Sequence, residues 1–471
     1  MSKVKRLGKN TLLVFMGNFG SKVIGLLMMP FYTKWLSVED YGVTDLIHVY
    51  VSFIIGFVTC CIAESLFIFP KNKPQEEQTQ YLSSALVFCF TTSSITALLF
   101  ALIQFASNTF SIYNSFTNYL WLVYFMMISQ IFQTLTQQFT RSIDKMLVYS
   151  ITGIVATVTS IGYSFALVPK YGVNGYVISM ILSNLSAAIY SFGASKSFLF
   201  FDIKSFKVGV TKKMLKYSIP LIPNSIMWWV VNALNRPIME NSVGMHDIGI
   251  YAVANRFPGI LSMVFAVFAT SWQISVLEEF GNKTYSKFYN QIFRVIFSVL
   301  IVVLLCLTIG SKIIIRFFAD PEFFEAWKYV PLLTLSVFFS NISGFAGANF
   351  SATRESKYYF YSSLWGAATA LLLNFILIPM IGIWGACISV IFSFIIMSIS
   401  RIAYSWKYVH LENIISYVGI LLLIMFLMCL VIYECNIFLV VVNCILVMVS
   451  LFVLVNKDVS AVLELLKKRI R

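Results

Sequence analysis

Pro169-Lys170-Tyr171-Gly172-Val173-Asn174-Gly175 and Pro379-Met380-Ile381-Gly382-Ile383-Trp384-Gly385 share the pattern P-x-x-G-x-x-G at an offset of 210 residues, each between two long apolar runs. Proline and glycine punctuate any loop, so one such heptapeptide would carry little. Two further echoes fall near the same offset. Asp40-Tyr41-Gly42-Val43 answers Asp247-Ile248-Gly249-Ile250, and Arg141-Ser142-Ile143-Asp144-Lys145 with Tyr149-Ser150 answers Arg354-Glu355-Ser356-Lys357 with Tyr361-Ser362. Ordered matches at offsets of 207, 212 and 210 residues mark a duplicated chain.

Composition sets the class. With 59% hydrophobic residues, 44 phenylalanines, 11% charged residues and a mean hydropathy of +0.83, the chain reads as a polytopic membrane protein. A bilayer core takes roughly 20 apolar residues per helix, and only helices or closed barrels cross it with their backbone bonds satisfied. The apolar runs are long and unbroken by alternation, which predicts an all-α fold. About fourteen transmembrane helices are expected, near 10–36, 42–69, 81–107, 118–140, 147–168, 176–200, 214–238, 247–277, 285–318, 327–353, 357–378, 383–405, 411–433 and 437–456. They group as an N-lobe over 1–205 and a C-lobe over 206–410, six helices each. Two more helices and a basic amphipathic tail fill 411–471. An even number per half gives both lobes one orientation, which predicts a pseudo-two-fold axis along the membrane normal.

Charge placement gives a topology. With the N-terminus cytoplasmic, 26 of the 34 basic residues fall on inside segments, Arg294, Arg401 and Lys407 among them. The outer loops keep Lys34, Lys170, Lys312, Arg316 and Lys328 beside acids such as Glu39, Asp247, Asp320 and Glu325. Both termini are therefore expected to be cytoplasmic. The net charge of +14 is a topology signal and an attraction to anionic membrane lipids, and needs no nucleic acid. A basic start leads into a first span about 27 residues long, so that helix is expected to be retained rather than cleaved. The eight cysteines lie in apolar runs or at a turn and the three histidines are scattered, so no metal site and no cofactor is expected.

Charges inside the membrane are the candidate functional residues, because each costs about 2.5 kcal/mol or more unless it meets water or a partner. Lys22 lies near the middle of the first span, on a face with Asn18, Gly25 and Met29. Arg256 follows Asn255 and precedes Pro258 in the eighth. Arg236 stands close enough to the outer boundary to snorkel. Glu64 sits in the inner half of the second span, with Asp45 and His48, three residues apart, near its outer end; an embedded carboxylate or imidazole of this kind can carry a proton, which makes the three ion-coupling candidates. Pairing of Glu64 with Lys22 is the competing explanation. Pro30, Pro220, Pro223 and Pro258 interrupt the first, seventh and eighth spans.

Taken together, Gly17-Asn18-Phe19-Gly20-Ser21-Lys22, the run from Pro30 through Trp35 to Tyr41-Gly42, and Asp247-Ile248-Gly249-Ile250-Tyr251 through Asn255-Arg256 resemble the bacterial polysaccharide (O-antigen, Wzx-type) flippases of the multidrug/oligosaccharidyl-lipid/polysaccharide exporter superfamily. The resemblance spans nearly the whole chain. It implies a carrier in the bacterial inner membrane that moves an oligosaccharide linked to undecaprenyl pyrophosphate from the cytoplasmic to the outer leaflet by alternating access, alongside other polysaccharide-assembly proteins. Lys22 and Arg256 correspond to cavity cations of such flippases and would contact the pyrophosphate. Asn18, Asn224, Trp228, Asn232 and Asn255 would contact sugars. At an offset of 207 residues Trp229 stands where the first half has Lys22, so the cations are not a symmetric pair.

Two other classes fit the residues less well. A multidrug or organic-cation antiporter of the same superfamily would need acids dominating the cavity, whereas the deep charges are mainly basic. A membrane glycosyltransferase or polymerase would need a sizeable outer domain with catalytic groups. The outer loops are short and no phosphate-binding G-x-x-x-x-G-K-[ST] loop occurs, so no catalytic residues are expected.

Overall fold

The structure, a computed structural model, describes residues 24–455 apart from 112 and 354. All regular elements among the described residues are helical. The chain divides into two compact units between Gly249 and Ile250. The first holds α1 (Met29–Trp35), α2 (Val38–Thr59), α3 (Ile62–Ile68), α4 (Gln75–Phe110), α5 (Leu120–Ser142), α6 (Met146–Ala194), α7 (Val208–Ser218), α8 (Ile222–Asn232) and α9 (Asn235–Ser242); α10 (Met245–Ala254) runs across the division. The second holds α11 (Gly259–Glu279), α12 (Tyr285–Phe318), α13 (Val330–Thr353), α14 (Lys357–Ile381), α15 (Ile383–Ser405), α16 (Ile414–Ile432) and α17 (Ile437–Val455).

Ten helices among the described residues are long and apolar enough to cross a membrane. Against the expected fourteen, each difference has a local cause. Most of the first span lies outside the described residues. The fourth, α5, carries Gln130, Gln133, Gln137, Gln138 and Arg141 and is too polar to qualify. The fifth and sixth run together as α6 across a kink. The seventh is cut into α7, α8 and α9, because Pro220 and Pro223 remove backbone donors and the chain turns again at Ala233-Leu234. The second span also breaks, at Cys60-Cys61, where both residues are left-handed. At its other end, α2 starts where the Ser37 side chain accepts from the Asp40 N–H at 3.1 Å, with Glu39 and Asp40 in the first turn.

The duplicated heptapeptide has the same geometry in both copies. Gly172 has φ 53° and ψ −128°; Gly382 has φ 59° and ψ −132°, a region that side chains do not tolerate. A Cβ on Gly175 would stand 2.3 Å from the Leu167 carbonyl oxygen, and one on Gly385 would stand 2.3 Å from that of Leu377. The motif is therefore a helical hairpin with almost no loop. Its middle glycine supplies the reversal, and its last lets the returning helix press on the outgoing backbone. The 207-residue echo is also structural. A Cβ on Gly42 would meet the Met245 carbonyl oxygen at 2.3 Å, and one on Gly249 would meet that of Val38 at 2.0 Å. Val38 and Met245 are themselves 207 residues apart, so the contact is reciprocal, as a two-fold duplication requires.

Helices pack through small residues. In α14, Ser362, Gly366, Ala370 and Asn374 recur every fourth position and are buried; Gly366 lies against Met397 and the Ser393 carbonyl of α15. Lipid supplies no hydrophobic drive between helices, so close backbone approach and dispersion hold such pairs together. In the second unit Trp272 stacks on Phe345 at 4.3 Å and donates its indole N–H to the Phe345 carbonyl at 3.0 Å. Large apolar side chains such as Phe90, Phe105, Ile415 and Ile437 stay exposed, which is what lipid-facing helices require.

Candidate functional site

The break in the second span opens onto a pocket of about 580 Å³ in the first unit, lined by Ser52, Thr59 and Glu64 from the broken helix, Thr134 from α5, and Asn224 and Ser225 from α8. The sequence builds this face by spacing. Ser52, Gly56, Thr59 and Ala63 recur at three- and four-residue intervals, so a stripe of small and hydroxylated side chains follows one side of the helix into the break. Pro220 and Pro223 end α7 and start α8 directly before Asn224 and Ser225. Of the sequence-derived candidates, Glu64 and Asn224 are brought into this one pocket. The larger cleft of the second unit, about 730 Å³, is walled by residues such as Phe297, Phe338, Ile399 and Tyr417 and offers almost purely apolar surface.

Toward the other end of α2 lies a hydrogen-bonded ionic network. The Arg236 Nε donates to Asp45 at 3.2 Å, and its Nη1 donates to the Asn232 carbonyl and, at 3.1 Å, to the Asn235 side chain. Arg236 is only 5% exposed, so it is not a snorkelling residue; it is a buried cation whose carboxylate comes from a helix turned toward it. Next to it, Tyr50 donates to Glu240 at 2.6 Å, and the other Glu240 oxygen accepts from the Ser115 N–H at 3.0 Å. His48, three residues from Asp45, instead meets the Tyr176 hydroxyl at 3.2 Å. The structure therefore separates Asp45 and His48 onto different partners, since three residues along a helix still leave about 60° between side chains.

Trp228 is half-buried and its carbonyl accepts from the exposed Asn232 amide at 2.8 Å. Trp229 donates to the Val49 carbonyl at 3.2 Å and lies 4.4 Å from the Phe53 ring, a packing role that accounts for an aromatic where the first half has a lysine. In the second unit, half-buried Asn255 and exposed Arg256 occupy the turn that Pro258 forces between α10 and α11. Lys22 and Asn18 lie outside the described residues, as does the tail. Two positions escaped sequence reasoning. Arg236 was masked by its nearness to the boundary. Arg401, read as an inside loop charge, is 3% exposed in α15 and donates to the Ser362 hydroxyl at 2.9 Å, the Ser343 carbonyl at 3.2 Å and the Ser363 hydroxyl at 3.5 Å, under the Tyr359 ring. The repeated serines of α14 are the only sequence signal that it would be enclosed.

A family model described as polysaccharide biosynthesis protein matches residues 7–273, more than half of the 471. The chain belongs to the polysaccharide biosynthesis protein family. Among solved structures, this family member is similar to "Lipid II flippase MurJ, inward closed conformation" with a TM-score of 0.61 and 17% identity, over 98% of this chain and 100% of that one. It is similar to an inward-facing multidrug resistance MATE family transporter of the MOP superfamily with a TM-score of 0.65 and 12% identity, over 82% of this chain and 94% of that one. A MOP superfamily transporter from Pyrococcus furiosus, whose title refers to a binding pocket of reverse polarity, matches at 0.57 and 11%, over 85% and 95%. No curated protein sequence matches the chain. With ten helices among the described residues long and apolar enough to cross a membrane, this family member shares the all-helical fold of these transporters.

Proposed function

We propose that the chain is a flippase that carries undecaprenyl-pyrophosphate-linked oligosaccharide repeat units from the cytoplasmic to the outer leaflet of the bacterial inner membrane by alternating access. It would serve surface polysaccharide assembly: O-antigen, capsule or exopolysaccharide. The observation that carries this reading is the family match over residues 7–273, joined to a fold shared along 98% of the chain with a protein described as a lipid II flippase. Lys22 and Arg256 supply the cations for the pyrophosphate, and Asn18, Asn224, Trp228, Asn232 and Asn255 the amide and aromatic surfaces for sugars. Outward movement of an anion runs down an inside-negative potential by roughly 2.3 kcal/mol per charge per 100 mV, so the potential itself biases the flip. Glu64 remains the candidate for resetting the empty carrier, whereas the ion pair with Arg236 gives Asp45 a structural duty.

An organic-cation antiporter is the second reading, favoured by the comparable fold likeness to the multidrug transporter. The decisive experiment is transfer of undecaprenyl-pyrophosphate-linked oligosaccharide across proteoliposomes by wild type, Lys22→Ala and Arg256→Ala at matched protein levels. Transfer by wild type that falls in both variants supports the flippase reading. Absent transfer together with organic-cation efflux moves the chain to the antiporter branch.

A further inference from the structure

We propose that the polar face of α5 binds the saccharide of the transported lipid, an inference that deepens the flippase reading and rests on it. Gln130, Thr134, Gln137 and Arg141 stand within about 60° of one another around the helix and run along about 16 Å of it, flanked by Gln133 and Gln138. Phe125, 53% exposed, lies on the opposite side of α5, the side turned to lipid. The polar side chains are half-buried, and Thr134, in the middle of the row, lines the pocket of about 580 Å³ in the first unit. The face is therefore turned inward with open space before it. Its amides are unspent. The Thr134 and Thr136 hydroxyls donate to the backbone carbonyls of Gln130 and Gln133 at 2.8 and 3.0 Å, but among the described residues the amide groups of these two glutamines have no hydrogen-bond partner, and neither has the buried Gln138 Oε1. Gln137 donates to the Tyr149 carbonyl at 3.4 Å, which leaves its amide oxygen available. Unpaired amides are costly in a membrane-spanning helix unless something polar meets them.

The chemistry of the row selects its ligand. Each amide offers two N–H donors and an acceptor oxygen, all uncharged. A sugar hydroxyl is donor and acceptor at once, and two adjacent hydroxyls match the donor and acceptor edge of one amide. A row of such groups suits a polyhydroxylated chain, and an organic cation would find no acid on α5. Arg141 ends the row. Its guanidinium lies over the Phe67 ring at 3.9 Å and 5.8 Å from the Tyr149 ring, and it enters none of the salt bridges formed among the described residues. Stacking uses the flat faces of the guanidinium and leaves its in-plane N–H edges free, a fork that fits vicinal hydroxyls or the carboxylate of an acidic sugar.

The test is binding of two lipids to the purified protein in detergent, read by native mass spectrometry: undecaprenyl-pyrophosphate-linked oligosaccharide, and undecaprenyl pyrophosphate without sugar. Wild type is expected to prefer the glycosylated lipid by about tenfold or more. Gln130→Leu/Gln133→Leu is expected to lose most of that preference while binding undecaprenyl pyrophosphate as wild type does, and Phe125→Leu, on the lipid side of the helix, to keep it. A double variant that no longer elutes as wild type in size exclusion is replaced by Arg141→Met, of which the same loss of preference is expected. Equal binding of the two lipids by wild type, or a preference undiminished in the variant, overturns the saccharide face and leaves the flippase reading standing. Binding of neither lipid by wild type overturns both.

Discussion

The hairpin glycines give the sharpest quantitative test, because both copies of the motif were solved by the same geometry. In Gly385→Ala the new methyl carbon stands 2.3 Å from the Leu377 carbonyl oxygen, 2.4 Å from its carbonyl carbon and 2.8 Å from the Ile378 nitrogen. All three are backbone atoms, so no side chain can swing away. Against an optimum separation of about 3.5 Å, the two helices must open by about 1 Å at the turn. Overpacking of this kind costs about 1–3 kcal/mol, and an unyielding backbone puts the change at the upper end. Gly382→Ala acts differently, by forcing a side chain into a glycine-only backbone region, at about 1–3 kcal/mol. For a unit of this size each kcal/mol moves the melting point by about 2–4 °C, so Gly385→Ala should melt roughly 6–12 °C lower. Gly175→Ala, with its 2.3 Å and 2.7 Å contacts on Leu167, should fall in the same range. The control is Gly419→Ala in the middle of α16, where nothing lies within 4 Å and helix propensity should raise stability by up to about 1 kcal/mol. The assay is the fraction surviving size exclusion after a fixed heating ramp in one detergent, since membrane proteins unfold irreversibly. A Gly385→Ala protein as stable as wild type, or a Gly419→Ala protein as damaged as Gly385→Ala, would refute the reasoning.

The buried pair of Asp45 and Arg236 should show strong coupling: Arg236→Ala leaves a carboxylate with 15% exposure uncompensated and costs about 3–5 kcal/mol, while Asp45→Asn/Arg236→Met recovers much of it. Single variants no worse than the double, by the same heating assay, would count against the pair. At the polar end of α13 and α14, hydrogen bonds from Lys407, at 2.8 and 3.1 Å, and from Tyr408 hold the Glu355 carboxyl below its ordinary 4.5, and Glu355 raises Lys407 above its ordinary 10.5. The carboxylate contribution is present above the ordinary value and lost as pH falls through the lowered one; that of the ammonium is present below its ordinary value and lost as pH rises through the raised one. The melting difference between wild type and Glu355→Gln should therefore be flat from about pH 5 to 10 and shrink outside that window, and a difference that widens on acidification contradicts the assignment.

What the sequence made legible follows from what each signal measures. Apolar length and repeated punctuation report on single segments, so Pro169 to Gly175 and its copy, the proline breaks and the all-helical class could be read directly. The break at Cys60-Cys61 could not, because neither residue is a helix breaker; it shows only when the Thr59 and Glu64 backbones are seen on either side of a pocket. Charge was read by distance from a boundary, which holds for a side chain in lipid or water and fails for one enclosed by neighbours. Arg236 and Arg401 were misjudged for that reason, since their partners, Asp45 and the serines of α13 and α14, come from elsewhere in the chain. Glu64 and Asn224 were picked separately by residue type, and their shared pocket required α8 to pack beside α2.

The loopless hairpins also have a mechanical meaning. A turn that holds backbone against backbone with no slack cannot act as a joint, so residues 146–194 and residues 357–405 each move as one piece in any transport cycle. The compliant points are the interruptions: Cys60-Cys61, Ile219 to Leu221, Ala233-Leu234 and the turn at Asn255 to Pro258. The first two of these border the pocket of the first unit, through Cys61 and Leu221. Whatever fills that pocket would press on the chain at its bending points, so occupancy and shape would be set by the same few residues.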